Sequence, residues 1–71
     1  MVFRNLRGMR EQANLTQEQV AKILGIAQNT YSQYENGKIA LVDEHLLKLA
    51  DFYRTSVDYL MDRTNDPTPP Q

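Results

Sequence analysis

"LTQEQVAKILGIAQNTYSQYENGK", residues 15–38, holds two short helices and the turn between them, and the rest of the chain can be placed around it. Thr16 and Gln19 have the spacing of a capping box, in which a hydroxyl and an amide satisfy each other's backbone N–H groups at a helix start. Leu15 before the cap and Val20 after the first turn are spaced as the matching hydrophobic staple. Val20, Ala21 and Leu24 give this helix an apolar face, and Gly25 supplies the left-handed residue that ends it. Ile26 and Ala27 lead into a second short helix over residues 28–36, closed by Gly37. So short a connection predicts a tight crossing at a large angle, the helix-turn-helix arrangement, and the small Ala21 lets the second helix approach closely.

The second helix has an unusual outer face. At roughly 100° per residue, Gln28, Asn29, Ser32, Gln33 and Asn36 fall within an arc of roughly 140°. Tyr31, Tyr34 and Ala27 lie opposite, with Glu35 at one edge and Thr30 at the other flank, so the tyrosines are expected to pack inward with hydroxyls free to reach a partner. A solvated helix face normally mixes Lys and Glu, which propagate helix and stabilise each other at i,i+4. Asn and Ser compete with the backbone for hydrogen bonds and serve that purpose poorly. The face is either plain polar surface or a row of groups for reading base edges. Gln and Asn can bond bidentately to adenine N6 and N7, and Ser bonds several base edges. Asn36, one turn further on, is better placed for a phosphate.

Upstream, Phe3, Leu6, Arg10 and Ala13 recur on one face of a helix over residues 2–13, with Asn14 as a left-handed stop. Arg10 interrupts that apolar stripe. A charge buried without a partner is very unfavourable, and Glu35, on the inward edge of the amide-bearing helix, is the candidate partner; the alternative is that Arg10 extends to solvent. Downstream, Leu46, Leu47, Leu49, Ala50 and Phe52/Tyr53 predict a strongly apolar helix, and Ser56 can cap a final short one containing Val57, Leu60 and Met61. No strand is readable. The chain therefore divides into an all-α domain over residues 1–63 and a Pro-rich tail, "TNDPTPPQ" over 64–71, expected to be disordered.

Composition narrows the function. With 71 residues, 41% hydrophobic and 24% charged, the chain is one small globular domain. It has no Cys and a single His, which excludes disulfides and the usual zinc constellations, so no metal or cofactor is expected. No apolar run approaches a membrane span and no leader is visible, so a soluble cytoplasmic protein without a small-molecule ligand domain is expected. Net charge is −1, but residues 1–38 carry five cations against three anions and residues 39–71 three against six. His45 has Asp43 and Glu44 beside it, yet no nucleophile or cleft is implied; an enzyme is not expected, and His45 is read as solvated.

The stretch 15–38 resembles the helix-turn-helix core of the phage repressor/Cro type, the XRE family, in its leucine and Thr-Gln, its Ala in the first helix, its turn Gly and its Glu-x-Gly-Lys ending. "LLKLADFYRTSVDYLMDRT" is similar to the two helices that follow in bacterial members, and the likeness covers residues 3–63. It implies a compact five-helix DNA-binding domain, with the helix-turn-helix at the second and third helices, that usually dimerises on palindromic operators. Carried over by position, it implies that Gln28, Asn29, Ser32 and Gln33 face bases. Gln17 would meet a phosphate at a helix N-terminus, Asn36 and Lys38 the DNA backbone, and Arg10 with Glu35 would form an internal ion pair. The chain departs from the pattern at Ala27, where a Ser or Thr often caps the recognition helix. Arg54 stands where a left-handed Gly or Asn is frequent, and Leu41 and Val42 replace a Pro and a polar cap. Together with Ile39 they place apolar side chains in the loop after the recognition helix, either folded back onto the core or available to a dimer contact. The expected function is sequence-specific binding of double-stranded DNA as a homodimeric transcriptional repressor; the alternative is an antitoxin or protein-interaction adaptor on the same fold.

Overall fold

The computed structural model describes residues 3–69, and five helices follow one another there: α1 (Arg4–Gln12), α2 (Gln17–Leu24), α3 (Gln28–Glu35), α4 (Asp43–Tyr53) and α5 (Val57–Leu60). No strand occurs among the described residues. The expected start of the first helix at residue 2, and the last two residues of the expected disordered tail, 70 and 71, lie outside the described part.

The signals read between residues 14 and 37 operate as local chemistry requires. Thr16 Oγ1 accepts a hydrogen bond from Gln19 N at 3.1 Å, and Gln19 Oε1 accepts one from Thr16 N at 2.8 Å. These bonds satisfy donors that a helix start leaves without intrahelical partners. Gly25 ends α2 at φ 72°, and the chain turns so that Ile26 N donates to Ala21 O. Asn14 takes the left-handed conformation at φ 58° and stops the first helical segment, as its type allows. Ser56 Oγ accepts from Tyr59 N and caps α5. α3 and α4 begin at Ala27 and Val42 without a side-chain cap, as those residue types dictate.

Each helix sends at least one side chain to a common core: Leu6, Val20, Tyr31, Leu49 and Leu60 are all at most 1% exposed. Burial of such apolar groups is the main favourable term in folding. Of the apolar loop after α3, Leu41 folds back and is buried, whereas Ile39 and Val42 stay exposed. α4 carries more apolar residues than the core can take. Leu46, Leu49 and Ala50 share its inward side and are buried, while Leu47 and Phe52 project from opposite flanks at 59% and 46% exposure. α4 ends at Arg54, which adopts φ 55° without being glycine, a strained choice for a residue with a Cβ.

Two long-range ties close the assembly. The first is the expected ion pair. Arg10 Nε meets Glu35 Oε2 at 2.6 Å and Arg10 Nη2 meets Glu35 Oε1 at 3.2 Å, a two-pronged contact between α1 and α3. Arg10 Nη1 donates in addition to Leu15 O at 2.9 Å, so one guanidinium holds α1, the turn before α2, and α3. The second tie is absent from every local sequence pattern. Asp62, itself at φ 61°, lies far along the chain yet caps α1, accepting from Arg4 N at 2.8 Å and Asn5 N at 2.9 Å. Asn5 Nδ2 returns a bond to Tyr59 O and a longer one to Thr64 O, and Thr55 Oγ1 donates to Pro67 O.

Removing Glu35 leaves the half-buried Arg10 guanidinium without its counter-charge. Glu35→Ala is therefore expected to cost about 3 kcal/mol, which in a domain this small lowers the melting temperature by roughly 15 °C; an unchanged thermal unfolding curve would show that the pair does not hold α1 to α3. Asp62→Ala should cost about 1 kcal/mol, the usual value of a lost helix cap. The same melting experiment checks it, and an Asp62→Asn variant, whose single amide oxygen can accept only one of the two N–H groups, should recover only part of the loss.

Candidate nucleic-acid interface

α3 is held from beneath, and its outer side is left to solvent. Tyr31, Tyr34 and Glu35 are buried, and they turn the remaining residues outward. Gln28 and Asn29, in the first turn, are exposed, whereas Ser32 and Gln33 are half-buried. Asn36 caps the C-terminal end and is exposed, as is Lys38 in the loop that follows. All four residues expected to face bases thus lie on one helix, on the side away from its buried tyrosines. Between Lys22 and Lys48 the sequence holds a single lysine or arginine, Lys38, so the face is built from neutral donors and acceptors with charge only at its margin.

Gln17, the first residue of α2, is half-buried, and its Nε2 donates to Glu35 Oε1 at 3.3 Å. The side chain assigned by resemblance to a phosphate is therefore tied inward, to the same carboxylate that receives Arg10. An amide nitrogen has two hydrogens and the amide oxygen is a further acceptor, so this bond leaves it able to make others. Arg10, Gln17 and Glu35 form one network under α3. Lys38 and Asn36 share no hydrogen bond with it.

The electrostatics of this network follow from its burial. Desolvation is the largest influence on Glu35 and opposes its ionisation, but Arg10 above all, then Tyr31 and Gln17, outweigh it and hold the carboxyl below its usual pKa. The bond to Glu35 likewise raises the Arg10 pKa against the effect of burial. Burial pushes the Tyr31 phenol well above its ordinary range, with the neighbouring Glu35 carboxylate adding to the effect, and raises Tyr53 to about 12. The Tyr53 hydroxyl is buried without a hydrogen-bonding partner, and the Tyr31 hydroxyl is buried beside the Glu35 carboxylate.

Both tyrosines pack inward as expected, but only the Tyr34 hydroxyl is free to reach a partner beyond its own helix, and that partner lies within the chain. Tyr31 is fully enclosed, and the Tyr34 hydroxyl shares a hydrogen bond of 3.0 Å with His45 Nδ1 at the start of α4. His45 is correspondingly half-buried rather than solvated. An i,i+3 or i,i+4 pattern cannot show such a pairing, because the two rings come from different helices. The only sequence signal was the combination of a polar-tipped ring on a buried face with an isolated imidazole in the next helix.

A depressed carboxyl pKa makes stability depend on pH in a definite direction. The contribution of Glu35 is complete above its unfolded pKa of about 4.3 and fades as pH falls through the lower folded value. Wild-type stability should therefore drop on acidification below about pH 4, and Glu35→Gln, already weaker at neutral pH, should lose less over the same interval. Denaturant unfolding at neutral and acid pH reads the difference, and parallel losses in both proteins would contradict it.

No helix among the described residues is long and apolar enough to cross a membrane. The chain matches the Helix-turn-helix family over residues 6–60, which takes in all of α2, α3, α4 and α5 and most of α1. It is 39% identical over 69 residues to the HTH-type transcriptional regulator YobD of Bacillus subtilis, a match covering 97% of this chain and 62% of that protein. It is 38% identical over 58 residues to the cryptic phage CTXphi transcriptional repressor RstR of Vibrio cholerae, covering 82% of this chain and 52% of the repressor. A shorter match, 39% over 44 residues, joins 62% of the chain to 28% of the antitoxin PezA of Streptococcus pneumoniae. The chain thus spans little more than half the length of the two regulators. No solved structure matches it significantly. The capped α2, the turn at Gly25, the amide-faced α3 and a family match over most of the chain agree: this chain belongs to the helix-turn-helix family of the XRE type.

Proposed function

We propose that this chain is a sequence-specific reader of double-stranded DNA and a transcriptional repressor, acting in the cytoplasm as a homodimer on a palindromic operator. The reading unit is the domain of residues 1–63, with no catalytic role. The observation that carries this reading is the outer face of α3, where exposed Gln28 and Asn29 continue into Ser32 and Gln33 without a charge among them. Laid in a major groove, Gln28, Asn29, Ser32 and Gln33 present the groups that base edges require. Gln17, Asn36 and Lys38 lie at the margins, where phosphates run. The names of the relatives support the same reading, two being transcriptional regulators and one of these a phage repressor.

Two copies would read half-sites about 34 Å apart, one turn of the duplex. With Lys38 the one lysine or arginine in the sequence between Lys22 and Lys48, and Arg10 engaged by Glu35, the phosphate contribution is expected to be small. Affinity is expected to fall only gently with salt, with a log–log slope well short of that for about ten neutralised phosphates.

A second reading has one observation in its favour, the match to an antitoxin. In that reading the domain serves as an antitoxin or adaptor that docks on another protein. A toxin gene beside this one, and binding of its product, would support that reading.

The test is a selection of random duplexes by the purified protein, with a Gln28→Ala/Gln33→Ala variant in parallel. A palindrome should be enriched by the wild type, and each single substitution should cost about 1–3 kcal/mol on it while leaving binding to random DNA nearly unchanged. Equal losses on both DNAs would refute base reading by these residues. No enrichment by a folded protein would favour the protein-docking alternative.

A further inference from the structure

The end of α3 joins a chemically reactive pair of residues to the margin of the reading face. Asn36 is the one asparagine in the chain that precedes a glycine; leucine follows Asn5 and Asn14, threonine follows Asn29, and aspartate follows Asn65. A glycine in that place leaves its backbone nitrogen open to the preceding side chain, because no Cβ shields it. Asn36 is exposed, and its amide makes no hydrogen bond among the described residues, whereas Asn5 Nδ2 is held by Tyr59 O and Thr64 O.

We propose that Asn36 is a deamidation site and that the cap of α3 gates the reaction. Gly37 N attacks Asn36 Cγ and gives up its proton; a new C–N bond forms, the Cγ–Nδ2 bond breaks, and the amide leaves as ammonia. Water then opens the cyclic imide. Opening at Cγ gives aspartate, and opening at the Asn36 backbone carbonyl gives isoaspartate, in which the main chain runs through the side chain. Water enters and ammonia leaves, with no change of oxidation state.

The gate is visible in the backbone. Gly37, at φ 70°, donates its N–H to Tyr34 O at 3.1 Å, and Lys38 N donates to Gln33 O at 2.9 Å. These two bonds are the paired closure of a Schellman cap. The attacking nitrogen is therefore one of the two that close the helix. Asn36 has ψ −1°, which eclipses Gly37 N with the nitrogen of Asn36 itself and turns it away from the Cβ that carries the amide. Attack requires the Gly37–Tyr34 bond to break and ψ to rotate, so the last turn of α3 must open. Tyr34 and Glu35, both buried, hold that turn from beneath. Openings at helix ends cost less than global unfolding, so the native protein reacts, but slowly.

The product changes the end of α3 in two ways. Aspartate places a carboxylate at the negative end of the helix dipole, next in sequence to Glu35. Isoaspartate also lengthens the main chain by one carbon and breaks the register of both cap bonds. On the function proposed above, Asn36 lies where a phosphate runs, so either product sets an anion against an anion. The loss of DNA affinity rests on that reading; the site and its gate rest on the cap alone.

Peptide mapping by mass spectrometry of the full chain, incubated at mildly alkaline pH with and without denaturant, tests the site. Conversion should occur at Asn36 before any other asparagine, and about tenfold or more faster in denaturant than in the folded protein. Earlier conversion at another asparagine, or equal rates at Asn36 in the folded and unfolded chain, overturns the proposal. On a duplex recovered by selection, aged protein and Asn36→Asp should each bind about tenfold more weakly than fresh wild type, and bound duplex should slow the conversion. Unchanged binding by both would overturn the functional consequence. Failure of fresh, folded protein to bind any duplex would overturn the DNA reading and leave the mapping to decide the site.

Discussion

The Arg10–Glu35 ion pair is the constraint on which the rest of the arrangement depends. Glu35 is 2% exposed and the Arg10 side chain 12%, so the carboxylate has little access to water and depends on the half-buried guanidinium for its counter-charge. A buried pair of this kind adds little net stability compared with well-packed apolar residues, because desolvation offsets much of the attraction. Its value lies in specificity of arrangement. Only one placement of α1 against α3 lets Arg10 reach both oxygens of Glu35 and the carbonyl of Leu15 at once. Since Leu15 leads directly into the capping box of α2, the guanidinium sets the relation of three helices. The direction in which α3 presents its amides follows from that relation.

The network also explains why the outer face of α3 can be so poor in helix-stabilising residues. Its eight residues include Asn, Thr and Ser, begin without a side-chain cap and contain no i,i+4 ion pair. Such a segment would not hold a helix alone. Tyr31 fixes it from within the core, Tyr34 through His45 of α4, and Glu35 through α1 and Gln17 of α2. With the inward side supplying the stability, the outward side is left to chemistry.

Much of this was legible in the sequence because it was local or because it violated a pattern. Thr16 with Gln19, the glycines at 25 and 37, Asn14 and Ser56 act within one turn of chain, where residue type and spacing decide the outcome. Arg10 was legible as an interruption, since a cation in an apolar stripe demands a partner. The contacts that escaped join residues distant in sequence through ordinary side chains. Asp62 capping α1 and Tyr34 meeting His45 depend on how helices are placed, which no periodicity encodes. Gln17 shows the same limit: its position at a helix start was evident, but its bond to Glu35 was not. On α4, the count of apolar residues exceeded what one face can bury, and only the packing shows that Leu47 and Phe52 are the ones left out.

Charge and size together bear on how such a domain would discriminate among DNA sequences. Non-specific affinity for DNA comes almost entirely from neutralised phosphates, and between Lys22 and Lys48 this chain offers one cation. A face of amides and hydroxyls adds little where the bases are wrong, because groups desolvated without partners cost about as much as good bonds return. Such a surface gains specificity at the expense of strength, and one copy would hold a half-site weakly. Coupling two copies makes the second contact intramolecular and multiplies the affinity for correctly spaced pairs without any new cation. Occupancy of an operator would then rise steeply with protein concentration, because dimerisation and binding both draw on it.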